Sequence, residues 1–165
     1  MHAEPHTGQP ESVAARPLAE LLDCPPETAK LLNHSAESVS CEAGQIVFAQ
    51  DAECKGLYVV VSGQLVRRSE RMGAHLTLGP VRAGELVELA AALGGVHHSY
   101  TLRAVTPTTL LLLPKPALAQ AFDSYPPLRM QLLEELAREV SRAYIASTVE
   151  RKMPLRRNPG EAHSA

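Results

Sequence analysis

GQIVFAQDAECKGLYVVVSGQL, residues 44–65, is the stretch that decides the fold. Two short runs rich in β-branched and aromatic residues, QIVFA and GLYVVVSG, flank a polar segment, and the second closes on glycine. That is the pattern of strands joined by tight turns. It continues downstream in QLVRR, HLTLG, SYTLRAV and TLLLL, separated at close intervals by Gly, Pro, Asp or Ser. Residues 39 to about 113 therefore read as an antiparallel sandwich or roll.

Helical spacing flanks the strands. Leu18, Leu21 and Leu22, then Leu31 and Leu32, lie on either side of Pro25 and Pro26, which predicts two short helices with a break between them. After the last strand, PKPALAQAFDSYPP places turn breakers around another short helix, and residues 128 to about 152 read as a long one. Its apolar residues Leu132, Leu133, Leu136, Val140, Ala143 and Tyr144 recur at three and four positions, opposite Glu134, Glu135, Arg138, Glu139 and Arg142. Pro126 and Pro127 suit its start and Pro154 its end. Residues 1–16 and 153–165 lack periodicity and read as disordered tails. The expectation is one mainly β domain over residues 17–152: a jelly-roll-like antiparallel β-roll with N-terminal helices and a long C-terminal helix.

Bulk properties narrow the function. Sixteen basic residues against 18 acidic ones, a formal net charge of -2, give no overall attraction for nucleic acid or anionic membrane. Aromatic content is 4% with no Trp, unlike a base-stacking surface. No apolar run approaches the roughly 20 residues of a membrane span, and the N-terminus lacks the form of a signal peptide, so the sequence is read as cytoplasmic. Cys24, Cys41 and Cys54 are scattered and form no CxxC pair, which predicts ordinary thiols rather than disulfides or a zinc site. No G-x-S-x-G, P-loop or H-E-x-x-H is present, and the chain is read as non-enzymatic.

The order of these parts resembles the cyclic-nucleotide-binding domain of the catabolite-activator and fumarate-nitrate-regulator type over roughly residues 18–150. Its most specific piece is GLYVVVSGQL, with Tyr58 in an apolar strand and Gly63 in the turn after it; Gly44, Gly84, Arg103 and Ala104 also match. In that family a short helix offers backbone N–H groups to the cyclic phosphate, an Arg pairs with it and a Glu accepts from the ribose hydroxyl. The cassette runs approximately G-D-x-x-G-E-L-A, a variable turn, then P-R-S-A. Laid on GELVELAAALGGVHHSYTLRA, residues 84–104, it puts Glu88 at the Gly, Leu89 at the Glu, His97 at the Pro, His98 at the Arg and Tyr100 at the Ala. A one-residue deletion would instead put Glu88 at the ribose-binding Glu.

The resemblance thus implies ligand positions at Glu88, Leu89, Ala90, His98 and Ser99, with Arg103 in the next strand either turned to the pocket or in a surface salt bridge. The ligand would be a cyclic nucleotide such as cAMP or another small anion, and no cofactor or metal is implied. A charge-assisted hydrogen bond is worth about 1.5–3 kcal/mol, so loss of the Arg alone weakens binding roughly 10- to 100-fold. Tyr100 could fill space a nucleotide needs. Adjacent strand residues face opposite sides, so His97 and His98 are expected one outward and one inward rather than sharing a metal. The Glu85/Glu88 pair is read as a solvated helix start. Scattered cysteines do not supply an iron–sulfur cluster. Haem has no motif, although His34, His75, His97 and His98 are conceivable axial ligands.

In resembling regulators the long helix pairs in a coiled coil, and Leu132, Leu133, Leu136, Val140 and Ala143 could form such a dimer, meet another protein or cover the roll. About 13 residues after that helix leave no room for a recognition helix, so sequence-specific DNA binding is not expected. Two roles stay open: a ligand-gated sensory domain acting through the C-terminal helix, and a degenerate domain that serves as an interaction or dimerisation scaffold.

Overall fold

The computed structural model describes residues 18–71 and 74–151. Two short helices, α1 (Leu18–Leu22) and α2 (Pro26–Ser35), precede the strands β1 (Glu37–Cys41), β2 (Ile46–Phe48), β3 (Gly56–Ser62), β4 (Gln64–Arg71), β5 (Ala74–Arg82) and β6 (Leu86–Val87). A short helix α3 (Leu89–Leu93) follows. Strands β7 (Thr101–Ala104) and β8 (Thr108–Pro114), then helices α4 (Lys115–Ser124) and α5 (Pro127–Arg151), complete the described chain. Pro25 and Pro26 separate α1 from α2 as their spacing predicts, because proline is accommodated at a helix N-terminus and not within one.

The strands form two antiparallel four-stranded sheets, ordered β1-β8-β3-β6 and β2-β7-β4-β5, facing one another as a roll. Strands β3 and β8 are buried on both faces, which explains why VVV and LLLL read as continuous apolar runs. Tyr58, Val60, Leu110 and Leu112 turn into the roll with Phe48, Leu65, Val81, Val87, Tyr100 and Leu102. Leu57, Val59 and Leu113 turn outward instead, onto a second core built with Leu18, Leu22, Leu32, Leu118, Leu128 and Leu132 of the helices. One sheet therefore serves two cores.

Two glycines make the β3–β8 contact close. At Gly63, φ is +92° and a Cβ would lie 2.5 Å from the Pro107 carbonyl oxygen; at Gly56 it would run into the Leu113 carbonyl. The roll starts at Glu37, two residues before the sequence pattern places it, and includes the two-residue strand β6 that the pattern does not mark. Both are held by pairing rather than by composition: Glu37 pairs with Leu112, and Leu86 and Val87 pair with Val59 and Tyr58.

The apolar stripe of α5 divides. Leu132 is buried and Leu136 packs against the helix-side core, whereas Leu133 and Val140 are exposed. The side chain of Ala143 and residues 1–16 and 153–165 lie outside the described residues. Among the described residues no helix is long and apolar enough to cross a membrane.

Candidate functional site

The site grows from the turn between β6 and α3. Glu88 caps α3 in the left-handed conformation, φ 74° and ψ 34°, a region most L-residues avoid and glycine adopts freely. That backbone twist aims its side chain into the roll. Glu88 is only 4% exposed, so it is not part of a solvated helix start; Glu85 is exposed but lies in the turn before β6 rather than at a helix, where its carboxylate accepts from the Arg82 N–H at 2.7 Å.

A second irregular piece brings the partner. The loop of residues 51–54 pairs antiparallel with residues 96–98: Glu53 bridges His97, the Cys54 N–H donates to the Val96 carbonyl at 2.8 Å, and the His98 N–H donates to the Ala52 carbonyl at 2.8 Å. Glu53 and His97 are exposed, so the residues that flank this bridge, Cys54 and His98, alternate inward. Both are 2% exposed.

Inside, His98 Nδ1 lies 2.8 Å from Glu88 Oε2, with the two side chains 2% and 1% exposed. The Phe48 ring stacks on the imidazole, centroids 3.7 Å apart and planes 7° from parallel. Tyr100, buried, hydrogen-bonds Glu88. Cys54 Sγ donates to the Gly56 carbonyl at 3.3 Å, and Cys54, Glu88 and His98 present ligand-type atoms that all lie within 4.8 Å of one another.

Burial governs the electrostatics. It pushes the Glu88 carboxyl above its ordinary range, opposed by the hydrogen bond and charge of His98 and by the Tyr100 hydrogen bond. Burial likewise lifts the Cys54 thiol and pushes the Tyr58 phenol up to about 12, with the charges of Cys54 and Glu88 adding to the latter. Tyr100 is shifted upward for the same reason.

The other residues singled out in the sequence lie elsewhere. Leu89 is buried among the helix-side apolar residues, and Ala90 and Ser99 are exposed. Arg103 is exposed and donates to the Gly44 carbonyl at 3.2 Å. The arginine nearest the site is one the sequence did not suggest: the Arg67 guanidinium stands 5.7 Å from the Tyr100 ring centroid and bonds Glu139 of α5 at 3.0 Å. Neither Arg67 nor Cys54 had a motif to reveal it.

The cyclic nucleotide-binding domain pattern matches residues 38–125, more than half of the chain. The chain belongs to the cyclic nucleotide-binding domain family. Among solved structures it is similar to the catabolite activator protein of Thermus thermophilus, with a TM-score of 0.66 and 24% identity over 76% of this chain and 59% of that one. The sensor domain of the transcriptional regulator DNR from Pseudomonas aeruginosa gives 0.64 and 19% over 86% of this chain and 90% of that one. The N-terminal domain of a Streptomyces coelicolor A3(2) transcriptional regulator gives 0.58 and 24% over 77% and 91%. At these identities the structural likeness bears on the fold. No curated protein matches the sequence. The family's β-roll and long C-terminal helix are those described above, so the expected fold holds.

Proposed function

We propose that this chain is a non-enzymatic regulatory domain of the cyclic nucleotide-binding family whose cassette is closed on itself. The observation that carries this is the Glu88–His98 pair, 2.8 Å apart and all but inaccessible. By resemblance His98 stands at the phosphate-binding Arg, so the protein's own carboxylate takes the place of the ligand's anion. The left-handed backbone at Glu88 suits the ungapped comparison, in which it replaces a glycine and Leu89 replaces the ribose-binding Glu. Tyr100 is buried in the roll-side core beside this pair, which further favours a filled cassette.

The output in this reading is α5. Met130, Leu133, Ala137 and Val140 follow one another at three, four and three residues, the spacing of a coiled-coil seam, and all are exposed. This face suits a second copy of the chain. Calorimetric titration with cyclic AMP and cyclic GMP at pH 6 and pH 8 tests the closed cassette: no saturable heat up to millimolar nucleotide is expected. Saturable micromolar binding at either pH would sink it.

One observation favours the rival reading, a nucleotide-gated sensor. Glu88, Tyr100, Arg67 and Glu139 form an unbroken run of contacts from the cassette to α5. A ligand that displaced Glu88 from His98 would act on that run, and the same titration decides between the two.

A further inference from the structure

Cys54, Glu88 and His98 combine a thiol, a carboxylate and an imidazole, all buried, on three separate pieces of chain. The left-handed turn at Glu88 and the pairing of residues 51–54 with 96–98 turn all three inward. Borderline and soft divalent ions favour such mixed N, S and O sets, whereas Mg²⁺ and Ca²⁺ select oxygen alone. We propose that the cassette interior is a binding site for one Zn²⁺-class ion held by Cys54, Glu88 and His98. The inference rests on the reading that this cassette is closed inward, and names what the closed interior binds.

The geometry is near what the ion requires. Tetrahedral zinc, with bonds of about 2.3 Å to sulfur and about 2.0–2.2 Å to nitrogen and oxygen, places its donors roughly 3.3–3.8 Å apart. The three donor atoms already lie within 4.8 Å of one another, so side-chain shifts of about 1 Å or less close the set. On binding, the Cys54 S–H bond breaks, its proton leaves to solvent and the sulfur electron pair bonds the metal; the proton shared by Glu88 and His98 leaves the space between them, to the far imidazole nitrogen or to solvent, and the two electron pairs it freed bond the metal in place of the hydrogen bond. No electron is transferred. Outer groups are also in place: Tyr100 holds Glu88, and Phe48 fixes the imidazole plane. Three protein ligands leave a fourth position for water or a small ligand. The run through Tyr100, Arg67 and Glu139 would carry occupancy to α5.

The test uses the untagged full chain, stripped with chelator and titrated with Co²⁺, then Zn²⁺. One Co²⁺ per chain is expected, with tetrahedral visible bands and a near-ultraviolet thiolate-to-cobalt band that Zn²⁺ bleaches and Mg²⁺ leaves unchanged. Cys54→Ser should abolish the thiolate band and weaken Zn²⁺ binding by more than about 10-fold, whereas Cys41→Ser should retain both. Absence of the band in the wild type, or its survival in Cys54→Ser, overturns the site. Should Cys54→Ser fail to fold, maleimide mapping of the wild type decides: Zn²⁺ must slow labelling of Cys54 and not of Cys24 or Cys41, and equal labelling with and without metal overturns the proposal. Nucleotide titration of the metal-free chain keeps the two readings apart. Nucleotide heat defeats the closed cassette, while silence to both nucleotide and cobalt defeats only the metal site.

Discussion

Arg67 of β4 reaches Glu139 of α5 at 3.0 Å, tying the long helix to the roll beside the ring of Tyr100. The pair is partly exposed, at 22% and 34%, so solvent screens it and its net worth falls in the range of about 0.2–1 kcal/mol. A double-mutant cycle with Arg67→Ala and Glu139→Ala, read by urea unfolding, should return a coupling of that size that shrinks in high salt. A coupling that salt leaves unchanged would show that the ring contact, not the ion pair, holds Arg67.

Glu88 gives stability a pH dependence of determinable sign. Burial raises its folded-state pKa above the unfolded value, so the folded chain holds this proton more tightly. Its contribution is fully present below the ordinary carboxylate range and is lost as pH rises through the raised folded value. Denaturant midpoints of wild type and Glu88→Gln across that window should therefore diverge, the wild type falling relative to the variant as pH rises. Parallel curves would contradict the assignment.

The two sides of α5 should answer differently to truncation. Leu132 is 3% exposed in the helix-side core, and Leu132→Ala is expected to cost about 2–5 kcal/mol. Leu133, 36% exposed, should cost far less in the monomer. If the outer seam joins two copies, Leu133→Glu with Val140→Glu lowers the sedimenting mass while leaving the circular dichroism spectrum intact. An unchanged mass would assign the seam to no self-association.

Phe48 should matter beyond its size. Its ring stacks on His98 at 3.7 Å and contacts Tyr58 and Tyr100, and the residue is 7% exposed. Phe48→Ala is expected to cost about 3–5 kcal/mol, whereas Phe48→Tyr should lose little if its hydroxyl reaches solvent. Thermal unfolding of both variants measures the difference.

Gly63→Ala puts a Cβ 2.5 Å from the Pro107 carbonyl oxygen at a φ of +92°. With both strain and overlap acting, a loss of roughly 1–3 kcal/mol is expected. A neutral result would mean that the β3–β4 turn relaxes at no cost.

Much of the fold was legible because its signals are local. The apolar runs around Tyr58 and Leu112, the prolines at the start of α2 and the three-and-four spacing of Leu133, Leu136 and Val140 each depend on neighbours close in sequence. The His97/His98 alternation was legible for the same reason, since period two follows from strand geometry alone. Strand β6 was not, because two residues carry no period and its existence depends on pairing with Val59 and Tyr58.

Residue chemistry and the succession of most elements along the chain were determined by the sequence itself, because side-chain periodicity and turn preference act within a few residues of chain. Only the tertiary structure decided that Glu88 turns inward, that Cys54 joins it and His98, and that Arg67 rather than Arg103 approaches Tyr100. Those meetings depend on a left-handed turn at a non-glycine residue and on the pairing of two irregular loops. Neither leaves a periodic trace, because both are held by long-range backbone hydrogen bonds and by burial, which come into being only once the roll has closed.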